Sequence, residues 1–141
     1  MIRLALYKAR GNLFDRLIRI WTGSIYSHCE LVMPDGRFMT SSPRDGGVRT
    51  KVIDQDPDTW DFIDLPGADQ AQIEALFKRL DGAGYDWLGI VFCQILPFGL
   101  NSHSRWFCSE ICAHALGYPD PASYSPGRLA KALSAGAEVQ P

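Results

Sequence analysis

Apolar residues at Leu13, Phe14, Leu17, Ile18 and Trp21 recur at the three-and-four spacing of an amphipathic helix, which predicts a helix over 12–21 ended by Gly23-Ser24. The same spacing at Ile73, Leu76, Phe77 and Leu80 predicts a second helix that begins near Asp69 and stops at Gly82-Ala83-Gly84. Shorter apolar runs bounded by turn residues predict strands over 2–8, 26–33, 37–41, 48–53 and 60–65. Between the second and third of these, Pro34-Asp35-Gly36 is a turn with a mechanism: Pro presets the first turn residue and Gly accepts a positive φ. The first half is therefore expected to form an antiparallel sheet. The second half reads as helical, with a buried helix from Trp87 to about Leu96, a loop over 101–104 and a helix over 107–116 closed by Gly117. A last helix starts with Ser125 as N-cap and Pro126 in the first helical position, facing Leu129, Ala132 and Leu133 inward. The fold class is α+β, an antiparallel sheet packed against helices, in a single domain over residues 1–141.

Composition narrows the partners more than the chemistry. The 141 residues are 46% hydrophobic and 21% charged, with 14 Lys and Arg against 16 Asp and Glu, which suits one ordinary globular domain. These mixed charges offer no basic stripe, so nucleic acid is not an expected partner. The most apolar run, Trp87 to Leu100, contains Gln94 and Pro97 and is shorter than the roughly 20 residues of a membrane-spanning helix, so no stable membrane insertion is expected. No secretory signal opens the chain, and the expected setting is cytoplasmic, with a phage-type or other non-classical export route as the alternative. Four cysteines, at 29, 93, 108 and 112, are too few for a disulfide framework in a chain of this size.

Cys108 stands out among them. It lies in Trp106-Phe107-Cys108-Ser109-Glu110, where an apolar segment enters a helix, and the unpaired N–H groups and positive dipole end of a first helical turn favour a thiolate. Cys112 lies one turn on and lacks that position. A thiol nucleophile needs a base. His114, six residues after Cys108, is turned away by about 600° of helical rotation. His103 sits in a polar loop with nothing to hold its ring, whereas His28 lies on a predicted strand that fixes its backbone. Strand alternation puts His28 and Glu30 on one face and Cys29 and Leu31 on the other, so Cys29 is expected in the core and not in a dyad with His28. A three-residue hairpin loop with Gly36 at the positive-φ position pairs Met33 with Arg37 and sets Glu30 opposite Thr40. A two-residue turn brings Ser41 to that face instead. The group that orients the imidazole is then Thr40, Glu30 or Ser41, in that order. A zinc site built on Cys108, Cys112 and a histidine is disfavoured, because Cys-x3-Cys within one helix is not a usual zinc spacing and no second Cys/His pair completes it. Neither a metal nor another cofactor is expected.

Taken together, Tyr26-Ser27-His28, Gly46-Gly47-Val48, Gly84-Tyr85-Asp86-Trp87, Phe107-Cys108-Ser109-Glu110 and Ser125-Pro126-Gly127-Arg128-Leu129 resemble a known family. It is the circularly permuted branch of the NlpC-type papain-like superfamily, which includes the YiiX-like and lecithin retinol acyltransferase groups. The resemblance implies a permuted papain-like fold, with the histidine strand ahead of the cysteine helix. It makes Cys108 the nucleophile, His28 the general base and Thr40 the third polar group. Tyr85 would line the pocket near the oxyanion, and Ser109 follows the nucleophile in the family's serine position. Relatives often carry His or Glu at the third position, so Thr40 would give the imidazolium weaker support. The implied activity is thiol hydrolysis of an amide, of amidase or endopeptidase type, with a peptide or peptidoglycan fragment as substrate. Two alternatives are a thiol-dependent lipid acyltransferase or esterase and an inactive binding module with the same fold.

Overall fold

A computed structural model describes residues 1–85 and 105–137. Five antiparallel strands make the body of the sheet: β1 (Arg3–Tyr7), β2 (His28–Val32), β3 (Arg37–Ser42), β4 (Gly47–Val52) and β5 (Trp60–Asp64). Two-residue strands β6 (Gly84–Tyr85) and β7 (Arg105–Trp106) extend one edge, giving the order β5-β1-β2-β3-β4-β6-β7. β6 and β7 pair in parallel, which the expectation of a purely antiparallel first-half sheet did not contain. The described helices are α1 (Leu13–Thr22), α2 (Gln70–Leu80), α3 (Cys108–Ala115) and α4 (Pro126–Ala137). None of them is long and apolar enough to cross a membrane. The helix expected from Trp87 to Leu96, the loop over 101–104, Cys93 and His103 lie outside the described residues.

Alternation along the strands builds two separate cores. Cys29, Leu31 and Met33 join Leu4, Leu6 and Met39 on one face, where Ile73, Leu76 and Phe77 of α2, Ile111 and Cys112 of α3 and Leu129 of α4 cover them. The other face carries a smaller cluster of Ala5, Val32, Phe38 and Trp60. Its polar members are His28 and Glu30, on the same side of β2 as Val32.

Turn chemistry sets the register. Gly36 takes a φ of +88°, and the Met33 N–H donates to the Arg37 carbonyl at 2.8 Å, closing the three-residue hairpin loop. Leu31 then pairs with Met39, which places Glu30 across from Thr40 and rules out the two-residue turn. At the next corner the chain turns through Pro43–Asp45 in a short 3-10 turn and re-enters the sheet at Gly47, which pairs with Gly84. There Gly47 has a φ of +148°, and a Cβ on it would stand 1.9 Å from the Ala83 carbonyl oxygen. Gly47→Ala is therefore expected to cost about 3 kcal/mol of stability, the scale of a backbone clash that nearby side chains cannot relieve. Chemical denaturation of the variant measures it, and a midpoint equal to that of the natural protein would refute the close approach.

Helix α1 turns its pattern outward. Asn12 caps it, accepting from the Asp15 N–H at 3.0 Å while the Asp15 carboxylate accepts from the Asn12 N–H at 2.8 Å. Asp15 and Ile18 are its buried residues, whereas Leu13, Leu17, Ile20 and Trp21 are exposed. The expected helix is present, and most of its apolar positions face away from the body of the protein.

Candidate active site

Two element ends meet at the site. Cys108 is the first residue of α3, following an extended Phe107 N-cap, and His28 is the first residue of β2. The Phe107 N–H donates to the Glu110 carboxylate at 3.3 Å, which draws in the start of the helix. Two hydroxyls brace the segment around the thiol. Ser41 Oγ donates to the Trp106 carbonyl at 2.5 Å, and Ser109 Oγ donates to the Tyr124 carbonyl at 2.6 Å. Ser41 thus ties β3 to β7 directly ahead of the cysteine, and Ser109 ties α3 to the turn before α4. Both serines hold backbone rather than facing a reaction centre.

The imidazole of His28 sits in a line of charged groups. Its Nε2 is 3.1 Å from Glu30 Oε1. The Glu30 carboxylate in turn accepts from both terminal nitrogens of Arg49, at 2.7 and 2.8 Å, and Arg49 Nε donates to Asp45 at 2.8 Å. Such a two-pronged pairing fixes the carboxylate plane as well as its charge. Cross-strand register explains the arrangement: Thr40 opposes Glu30 on one side and Arg49 on the other, so the arginine reaches across Thr40 to the carboxylate.

Glu30 therefore orients His28, which corrects the expected order in which Thr40 came first. Thr40 shares the strand position anticipated for it. Its hydroxyl proton, however, goes to the Cys29 carbonyl at 2.8 Å, a strand-to-strand bond. Ser41, the third alternative, serves β7 as described above. Glu30 supplies the negative charge that stabilises an imidazolium.

Cys108 lies close enough to His28 and Cys29 for each to act on its ionisation. Hydrogen bonding from the Cys29 thiol, opposed by burial and aided by the charge of His28, holds the Cys108 thiol well below the ordinary thiol range. Burial pulls the His28 ring down, but the charge and hydrogen bonds of Cys108 and Glu30 outweigh it and raise the ring to about 10. The Glu30 carboxyl is also raised by burial, and the stronger pull of His28 and Arg49 leaves it below its usual value. Burial, reinforced by Cys108 and Cys112, pushes Cys29 well up and keeps it a neutral donor. These directions favour the ionised form of Cys108 and the protonated form of His28 beside a neutral thiol and a carboxylate.

Two participants escaped the sequence reading. Cys29 was correctly placed in the core, at 0% exposure, yet it shares that core with Cys108 because α3 packs on the same face of the sheet. Arg49 becomes findable only when the register is counted across the corner at 43–46, which no hydrophobic period specifies. Tyr85 is described by its backbone alone and pairs with Trp106 next to the Phe107 cap. His114 is exposed with its ring 5.2 Å from that of Trp106, away from the thiol. Among the described residues no group of three or more His, Cys, Asp or Glu is arranged to hold a metal.

A cavity of about 650 Å³ opens on the His28–Glu30 face, with Ser27, Trp60, Arg44 and Asp45 among its walls. Cys108 is not one of its lining residues and is only 2% exposed, so His28 is the member of the pair that faces the cavity. Comparison with known protein families and with curated proteins returns no match for this chain.

Proposed function

We propose that this protein is a cysteine hydrolase of amidase or endopeptidase type, built as a circularly permuted papain-like domain. The observation that carries the reading is a buried cysteine at the start of α3 near His28, with His28 held by a carboxylate that Arg49 fixes in place. In the reaction, the Cys108 thiolate adds to the carbonyl carbon of an amide and its oxygen takes up the negative charge. N–H groups at the start of α3, which Cys108 opens, are the donors offered to that oxyanion. Collapse breaks the C–N bond as the His28 imidazolium gives its proton to the leaving amine. His28, now neutral, takes a proton from water, which attacks the thioester and frees the acid and the thiol. Glu30 keeps the ring oriented and stabilises its charged form throughout.

The pair gives a signed pH dependence. The thiolate forms below the ordinary thiol range, and the imidazolium loses its proton as the pH rises through about 10. Hydrolysis is therefore expected to hold across neutral pH and to fall on the alkaline side as the leaving-group proton is lost. Thiolate ultraviolet absorbance tests the first half without needing reagent access. The difference between the natural protein and Cys108→Ala should show one thiolate already formed near neutral pH. A Cys108 that ionises only at about 8.5, as a free thiol does, would sink the reading.

A further inference from the structure

We infer that α1 is a docking face for an anionic lipid bilayer, a role independent of whether Cys108 is catalytic. On a helix turning about 100° per residue, Leu13, Leu17, Ile20 and Trp21 share one arc about 100° wide. They are 72%, 52%, 71% and 45% exposed, and Ile25, just past the Gly23 cap, continues the strip at 63%. An amphipathic helix in a globular domain ordinarily turns this side to the core. Here the polar side faces inward, and its bonds fix it there. Asp15, 7% exposed, accepts from Ser27 Oγ at 3.0 Å and from Arg44 at 2.8 Å as well as from the N-cap. On the same inward side, the Arg19 guanidinium bonds the Ala9 carbonyl. The outward apolar strip is thus set by the inward polar contacts of Asp15 and Arg19 and not left over from loose packing.

Charge and size choose the occupant. Arg16, about 40° around the helix from Ile20, and Arg10, in the turn ahead of α1, are exposed, while the single carboxylate of α1, Asp15, is sequestered. A cationic border around aliphatic side chains and a tryptophan suits the boundary between acidic headgroups and acyl chains, where Trp settles and Arg pairs with phosphate. A stable protein–protein interface takes roughly 20–30 residues a side, against the five apolar side chains here. Bilayer binding needs only such a strip. Because Ser27, joined to Asp15, precedes His28, a docked α1 would bring the cavity on the His28 face close to the lipid surface.

Sedimentation of the full chain with vesicles tests the assignment, using phosphatidylcholine alone and an equal mixture with phosphatidylglycerol. The natural protein should pellet with the mixed vesicles and much less with the neutral ones. The double variant Leu17→Asp, Ile20→Asp should lose at least about tenfold of that partitioning while keeping its circular dichroism spectrum. Arg10→Glu with Arg16→Glu should weaken binding to mixed vesicles alone. Failure of the natural protein to pellet, equal binding to both vesicle types, or undiminished binding by either double variant overturns the inference. So does light scattering that finds a dimer which the Leu17, Ile20 variant splits, since the face would then belong to a second copy.

Discussion

Cys108→Ala and His28→Ala should each lower turnover of an activated ester or amide by roughly 10⁴- to 10⁶-fold, and the double variant should fall no further than the worse single one. Non-additivity is the sharper part of this expectation. In the proposed mechanism the Cys29 thiol and the charge of His28 favour the thiolate, and the thiolate and Glu30 in turn favour the imidazolium. Removing either partner removes the working form of the other, so the second substitution has little left to destroy. Steady-state kinetics with mass-spectrometric detection of the acyl-enzyme gives both numbers. Independent, multiplying losses would mean that the two residues do not act as a unit. Retained turnover in Cys108→Ala would place the chemistry elsewhere. Glu30→Gln is expected to fall between these extremes, because the amide still bonds the ring but no longer balances its charge.

The largest expected effect on stability lies one step behind the imidazole. Arg49→Met should destabilise the protein by about 3–5 kcal/mol, because it strips both guanidinium bonds from a carboxylate that is almost wholly buried. The side chain of Glu30 is 2% exposed and that of Arg49 13%, so solvent does little to replace the lost pairing. The sign of the pH dependence follows from the depressed Glu30 carboxyl. Its contribution is present above the ordinary carboxyl range and is lost as the pH falls through the folded-state value. The gap between the natural protein and Arg49→Met should therefore narrow on acidification. Adding Glu30→Gln to Arg49→Met should recover part of the loss, since no buried charge is then left unpaired. Urea denaturation at neutral and acidic pH measures all three. A cost below about 1 kcal/mol for Arg49→Met would show the pair behaving as a solvent-screened surface bridge.

Much of the architecture was written in local periods. Alternation placed β2 with His28 and Glu30 on one face and Cys29 and Leu31 on the other, and the Pro34-Asp35-Gly36 signal set the hairpin to the residue. Both are short-range properties, fixed by the two-residue repeat of a strand and by the freedom of Gly36 to take a positive φ. The helix start at Cys108 was legible for a similar reason, the change from an apolar segment into a helical period. β6 and β7 were not, because two-residue strands carry no period and exist only through their pairing.

By itself, the sequence determined the α+β class, the position of each principal described element, the face of each β2 side chain and the choice of Cys108 and His28 as a candidate pair. The tertiary structure alone decided that Glu30 and not Thr40 holds the imidazole, that Arg49 fixes Glu30, that Cys29 and Cys108 share one buried core, and that α1 turns its apolar side outward. The division has one physical cause. Steric preference and hydrophobic period act between neighbours a few residues apart, and they are read along the chain. The competition of hydroxyl, carboxylate and guanidinium groups for partners is settled between strands, as for Glu30 and Arg49, nineteen positions apart. Its outcome depends on which groups are buried together and must be satisfied there.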